Sequence, residues 1–239
     1  MKMLSKALTL SGLLATVATP FTSAATIPQH VQPVRRRGEA IGITPHDKYS
    51  SSVGVLGCKI DINRVAYWPS SVSCNDICVR VTSVATGRSV TLLKIDQSGG
   101  AHDISYDAYA YLQNGIGAAS ASPVVGGAVD ATYEVVDPEE CRGLIHTPDG
   151  KLPFSAANSM NFVNSCRNEN AGGSASTWVG DNFQLWNIAD ARCQWGEDRM
   201  CNFPDLTVTN QPDCGVGHTL GIQTGLEGGL PVVDVAYPF

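Results

Sequence analysis

Eight cysteines, Cys58, Cys74, Cys78, Cys141, Cys166, Cys193, Cys201 and Cys214, constrain this chain more than any other feature. All lie downstream of a stretch laid out like a secretory signal. Lys2 and Lys6 precede an apolar run from Ala7 to Val17, and Thr22-Ser23-Ala24-Ala25 supplies the small residues of a cleavage site. An even cysteine count in an exported chain reads as disulfides, each stabilising the fold by about 2–4 kcal/mol. Zinc would compete only at Cys74-x-x-x-Cys78, where no second close cysteine pair or paired histidines complete a ligand set. No metal and no cofactor is therefore expected. The pairing itself stays open, because eight cysteines allow on the order of a hundred connectivities.

Processing is expected to continue past the signal, taken as residues 1–24. Residues 25–37 carry no apolar periodicity and end in Arg35-Arg36-Arg37, a possible propeptide cut after the arginines. Beyond residue 37 the chain keeps 11 basic residues against all 22 acidic ones, a net charge of −11. Such a surface lacks the cationic patches that phosphate backbones and anionic membranes require. Nucleic acid and membrane partners are excluded on that ground, and an extracellular location is expected. With 43% hydrophobic and 16% charged residues, the chain can still bury a sizeable core.

After a polar lead-in over 38–52, β-branched residues and turn dipeptides dominate from Val53 to Cys141. Val79, Val81, Thr82 and Val84 form one strand-like run, and Ala85-Thr86-Gly87-Arg88 turns it into a second, Ser89 to Ile95. A third strand is expected over Ala128 to Val136. Between them Ser105 can cap a short helix that has Asp107 in its first turn. Ile104 can staple to Tyr109, and Asn114-Gly115 stops the helix. Beyond Cys141 the alternation fades. Short helices are expected over Ala156 to Val163 and Asp181 to Ala189, with Gly172-Gly173-Ser174 as a loop between them. The expected organisation is a β unit over 53–141, a cysteine-rich α/loop extension over 142–215 and a poorly ordered tail over 216–239.

The order Cys74, Cys78, Gly87, Ile95-Asp96, Gly99-Gly100, Asp103-Ile104-Ser105 and Tyr133 to Cys141 resembles the barwin-like group of double-psi β-barrels. That group includes barwin, cerato-platanins, expansin N-terminal domains and barwin-type endoglucanases. The match covers roughly a third of the chain. It implies a mainly β fold, a six-stranded double-psi β-barrel with a groove across one face, here followed by the disulfide-rich α/loop C-terminal extension. It also implies a fungal secreted protein. In the enzymes of the group, the acid of a His-Phe-Asp motif falls where this chain has His102-Asp103. Asp103 is thus implied as the general acid, and Asp61 is the carboxylate available to oppose it. Tyr67-Trp68 is followed by Pro69 where the group's second acid stands, and Ser98 replaces a cysteine of the group.

The residues therefore present two alternatives. Hydrolysis of a glycosidic bond needs two carboxylates bracketing it, which makes Asp103 and Asp61 the candidate catalytic pair. Binding without hydrolysis needs ring faces and polar groups instead, for which Tyr67, Trp68, His102 and Asp96 are the candidates. Asp96 can equally be satisfied by loop amides that fix the barrel. Asp107 reads as a helix-dipole residue. The resemblance favours a non-hydrolytic cell-wall glycan-binding protein, or an effector or elicitor acting on a host protein. Expansin-like wall loosening or weak endoglucanase action is the enzymatic alternative, and a secreted protease or hydrolase inhibitor is a third.

Overall fold

The computed structural model describes residues 38–171, 177–215 and Leu220. The expected signal and propeptide, the Gly172-Gly173-Ser174 loop and all of the expected tail except Leu220 lie outside these residues. Six strands close into a barrel. They are β1 (Glu39–His46), β2 (Val65–Trp68), β3 (Cys78–Ser83), β4 (Ser89–Gln97), β5 (His102–Ser105) and β6 (Val129–Val135), in the order β1-β5-β2-β4-β3-β6. β1 lies parallel to β5 and β2 parallel to β4, while the other four pairings are antiparallel. Closure leaves the barrel no free edge to template aggregation. Mainly β, closed and six-stranded, it agrees with the fold class expected from the sequence.

β1 corrects the expectation of a polar lead-in. Its first half pairs with β6 from Glu39 to Ile43, and its second half pairs with β5 from Ile43 to His46. Ile41 and Ile43 are buried on one side. Pro45, which reads as a strand breaker, sits where pairing with β6 has ended and only β5 remains. His102, Asp103 and Ile104 differ likewise from the expected loop and helix start, since they form β5.

Side-chain alternation sorts the barrel into two layers. Ile41, Ile43, Ala66, Trp68, Val79, Val81, Val90, Leu92 and Ile104 face the lumen. The helix α1 (Tyr106–Asn114) adds Tyr106, Ala108, Tyr109 and Leu112 to that cluster. Gly115 ends α1 at φ 80°, a left-handed conformation suited to a residue without Cβ. Ser105 occupies the N-cap position without capping, because its hydroxyl donates to the Asn63 carbonyl at 2.6 Å instead.

The outer faces of β2 and β4 carry Val65, Tyr67, Leu93 and Ile95, and against them packs the C-terminal extension with Ile145, Leu152, Phe154, Val163 and Leu185. The extension is not purely α and loop. β7 (Leu152–Ser155), β8 (Phe183–Ile188) and β9 (Gly196–Cys201) form a three-stranded sheet, flanked by α2 (Met160–Ala171) and α3 (Trp178–Asp181). The segment expected as a helix over Asp181 to Ala189 is therefore mostly β8. Its Leu185 and Ile188 are drawn into separate clusters by the packing.

All eight cysteines pair: Cys58–Cys193, Cys74–Cys166, Cys78–Cys141 and Cys201–Cys214. The first two join the barrel half of the chain to the extension. Asn75 accepts from the Trp178 amide at 2.9 Å, and the Cys74 carbonyl accepts from Val179 at 3.0 Å, so polar contacts reinforce the second joint.

Candidate functional site

The outward positions of β1, β5 and β2 form a polar strip. Thr44 pairs with Asp103, His46 with Ser105, and Tyr67 with Asp103 from the other side. The Thr44 hydroxyl donates to Asp103 Oδ1, which holds the half-buried carboxylate against β1. The rings of His46 and Tyr67 stack at 4.3 Å with an interplanar angle of 28°. His46 Nδ1 lies 2.6 Å from the Lys48 carbonyl, and the Tyr67 hydroxyl donates to that carbonyl at 3.2 Å. Beside the stack opens a cleft lined by His46, Asp47, Lys48, Asn63, Ser105 and Tyr106, among others.

The segment after β1 folds across this wall. Asp96 is its anchor, accepting from the Ser50 hydroxyl at 2.6 Å, the Ser52 amide at 2.8 Å and its neighbour Gln97 at 2.8 Å. Ser51 adds a bond from its hydroxyl to the Ile95 carbonyl at 2.8 Å. Tyr49 is buried beneath the segment and donates to the Val55 carbonyl at 2.8 Å. Burial, then the neighbouring Tyr67 and Asp96, push its phenol well above the ordinary range.

Asp61 begins the turn whose Ile62 and Asn63 line the cleft. It caps a short turn over Ile62–Arg64, accepting from the Asn63 amide at 3.0 Å. Asp61 and Asp103 are thus each engaged with a donor of their own, on different elements. Asp107 pairs with Arg64 at 2.6 Å and accepts from the Ala118 amide at 2.9 Å.

Tyr67 and Trp68 separate. Each is only 3% exposed, Tyr67 in the layer shared with the extension and Trp68 in the lumen. Trp68 meets His102 edge-on at 4.8 Å and Tyr133 at 5.2 Å, near the barrel mouth where β1 begins. Tyr133 donates to Glu39 at 3.0 Å. Burial lowers the His102 imidazole below its ordinary value, although Glu39 and Asp103 pull the other way. Burial also depresses Lys94, and Asp76 partly offsets it.

Thr44, His46, Asp47, Lys48 and Asn63 are not singled out by the sequence reading. The alternation of Ile41 and Ile43 was the available signal for β1, and Gly42 and Pro45 masked it. Among the described residues no cluster of His, Cys, Asp and Glu has the geometry to hold a metal ion. No helix among them is long and apolar enough to cross a membrane.

No protein-family model matches the chain, and no curated protein sequence matches it. Among solved structures, cerato-platanin 3 from M. perniciosa aligns at 18% identity and a TM-score of 0.33. Cerato-platanin 2 from the same source aligns at 17% and 0.31. The likeness is to cerato-platanins. Both alignments cover 43% of this chain and 98% of the solved one, so more than half of this chain has no counterpart in them. Cerato-platanins are members of the group that the sequence resembles.

Proposed function

We propose that this is an exported protein that binds cell-wall glycan without hydrolysing it, using the outer wall of β1, β5 and β2. The observation that carries the reading is the polar strip of Thr44, Asp103 and His46 beside the His46–Tyr67 stack, opening on a cleft. The half-buried His46 ring, backed by the buried Tyr67 and flanked by hydrogen-bonding groups, suits a sugar, whose C–H faces lie on rings and whose hydroxyls need partners. Hydrolysis needs a second carboxylate facing Asp103 across the scissile bond. Asp61 serves instead as the cap of its own turn. Four disulfides fit an oxidising, extracellular setting.

The test is co-sedimentation of the purified protein with insoluble β-glucan, cellulose and chitin, combined with a reducing-end assay. Binding to at least one polysaccharide is expected, with no reducing ends released. Release that disappears in Asp103→Asn would replace this reading with the enzymatic one. Absence of binding to every polysaccharide would remove it.

A protein partner is the second reading, as for an effector or an inhibitor. It is favoured by the Cys201–Cys214 loop. Its base is closed by the disulfide and by paired backbone bonds between Asn202 and Asp213, and its tip exposes Leu206 and Val208. A preorganised apolar tip lowers the entropic cost of docking. A host-tissue response to the purified protein, lost in Leu206→Ser/Val208→Ser and kept in Asp103→Asn, would support it.

A further inference from the structure

The extension holds a cavity of its own, with a volume of about 170 Å³. Each water occupies roughly 30 Å³ in the liquid, so the cavity has room for several. It shares no lining residue with the cleft beside the His46–Tyr67 stack. Two stretches distant in sequence border it. One is the turn from Ala156 into the start of α2, and the other is Asn210 to Pro212 of the Cys201–Cys214 loop. Both are braced by the protein. The Ser155 carbonyl accepts from the amides of Asn158 at 3.3 Å and Ser159 at 3.0 Å, and the Asn158 side chain donates to the Ala189 carbonyl. In the loop, the disulfide and the Asn202–Asp213 bonds close the base, while Gln211 Nε2 donates to Asn210 Oδ1 at 3.0 Å.

None of the lining residues is charged, although the chain carries 22 acidic residues. Four of them, Asn158, Asn161, Asn210 and Gln211, bear side-chain amides and are exposed, whereas Ala156 and Pro212 are buried. A primary amide has an acceptor oxygen and two donor hydrogens. The contacts above use one N–H of Asn158, one of Gln211 and one lone pair of Asn210. Donors and acceptors both remain, among them the Asn158 and Gln211 oxygens and the Asn210 NH₂.

We propose that this cavity seats one uncharged sugar unit, as a second binding place apart from the wall of β1, β5 and β2. The inference rests on the glycan-binding reading for the kind of ligand and goes beyond it in location. A sugar hydroxyl both donates and accepts, so it can use either end of each amide. An ammonium only donates and a carboxylate only accepts. Either would give up hydration with no opposite charge among the lining residues to replace it. Ala156 and Pro212 add apolar surface for the C–H groups of the ring. Bracing of both borders lowers the ordering cost of binding.

Titration calorimetry at about 0.15 M salt, where surface charge is screened beyond about 8 Å, tests this with oligomers of glucose, glucosamine and galacturonic acid of equal length. The glucose oligomer is expected to bind most tightly. Ala157→Trp, at an exposed lining residue, fills the space and is expected to weaken that binding about tenfold or more. Asn161→Ala/Gln211→Ala keeps the space, removes two amides and is expected to weaken it likewise. Asp103→Asn, on the wall, retains the cavity's binding. Glucose binding that survives either cavity variant overturns the inference, and its loss in Asp103→Asn then leaves the wall reading standing. Loss in both cavity variants but not in Asp103→Asn supports the cavity and removes the wall as the site. A charged oligomer that binds as tightly as the glucose one overturns the uncharged class. No binding of any oligomer overturns both readings.

Discussion

Tyr67 and Trp68 are consecutive on β2 yet project to opposite sides of the barrel wall, Tyr67 toward the extension and Trp68 into the lumen. A strand places successive side chains on opposite faces, so the two rings cannot form one stacking platform. Both are core residues with different costs of removal. Trp68→Ala empties a lumen site packed against His102 and Tyr133 and is expected to cost about 3–5 kcal/mol. Tyr67→Phe removes the hydroxyl that donates to the Lys48 carbonyl and is expected to cost about 1 kcal/mol. Urea unfolding of the two variants measures the difference. Similar losses in both would mean that Trp68 is not buried as described.

The elements that were legible in the sequence are those whose partners are close in the chain. The turn at residues 84–88 joins β3 to β4, and Asn114-Gly115 stops α1 close to where the residues imply. What was not legible depends on distant partners. β1 is a strand because β6 and β5 receive it, although Gly42 and Pro45 argue locally against it. β8 is a strand because β7 and β9 flank it. The strip of the candidate site is assembled from β1, β5 and β2, so Asp103 could be named from sequence while Thr44 and His46 could not. The disulfide pairing belongs to the same class, since separations of 135 and 92 residues leave no local trace.

Asp96→Asn is expected to destabilise the protein by about 2 kcal/mol. The carboxylate is 7% exposed and accepts from Ser50, Ser52 and Gln97. An amide keeps one oxygen and turns an N–H₂ toward donors, leaving buried groups unpaired. The segment over Ser50–Ser52 should loosen first, which hydrogen exchange at the Ser52 amide would register. Unchanged protection there would exclude Asp96 as the anchor of that segment.

The four disulfides should differ in worth according to the chain they close. On loop entropy alone, Cys201–Cys214, with a separation of 13, contributes about 3 kcal/mol. Cys58–Cys193 and Cys74–Cys166 contribute about 5 kcal/mol each on the same basis. Paired alanine substitution at Cys201 and Cys214 should therefore lower Tm least. The same change at Cys74 and Cys166 should also detach α3 from the barrel, because their bridge stands beside the Asn75–Trp178 bond. A larger drop for the short bridge than for either long one would contradict the ranking.

His102 should make stability fall on mild acidification. Burial in the ring cluster holds its imidazole below the ordinary value, against the opposing pull of Glu39 and Asp103. The unfolded chain takes up the proton near pH 6.5 or so, the ordinary imidazole value, whereas the fold resists it. The unfolded state therefore binds more protons in that range, and stability decreases as pH falls through it. The loss levels off once pH passes below the folded value and the native ring is also charged. His102→Gln removes the proton uptake, so unfolding free energies measured between about pH 7.5 and 5.5 should vary less than in the parent. An equal slope in parent and variant would assign the pH dependence to other groups, and a slope of opposite sign would mean that the charged ring is the one the fold prefers.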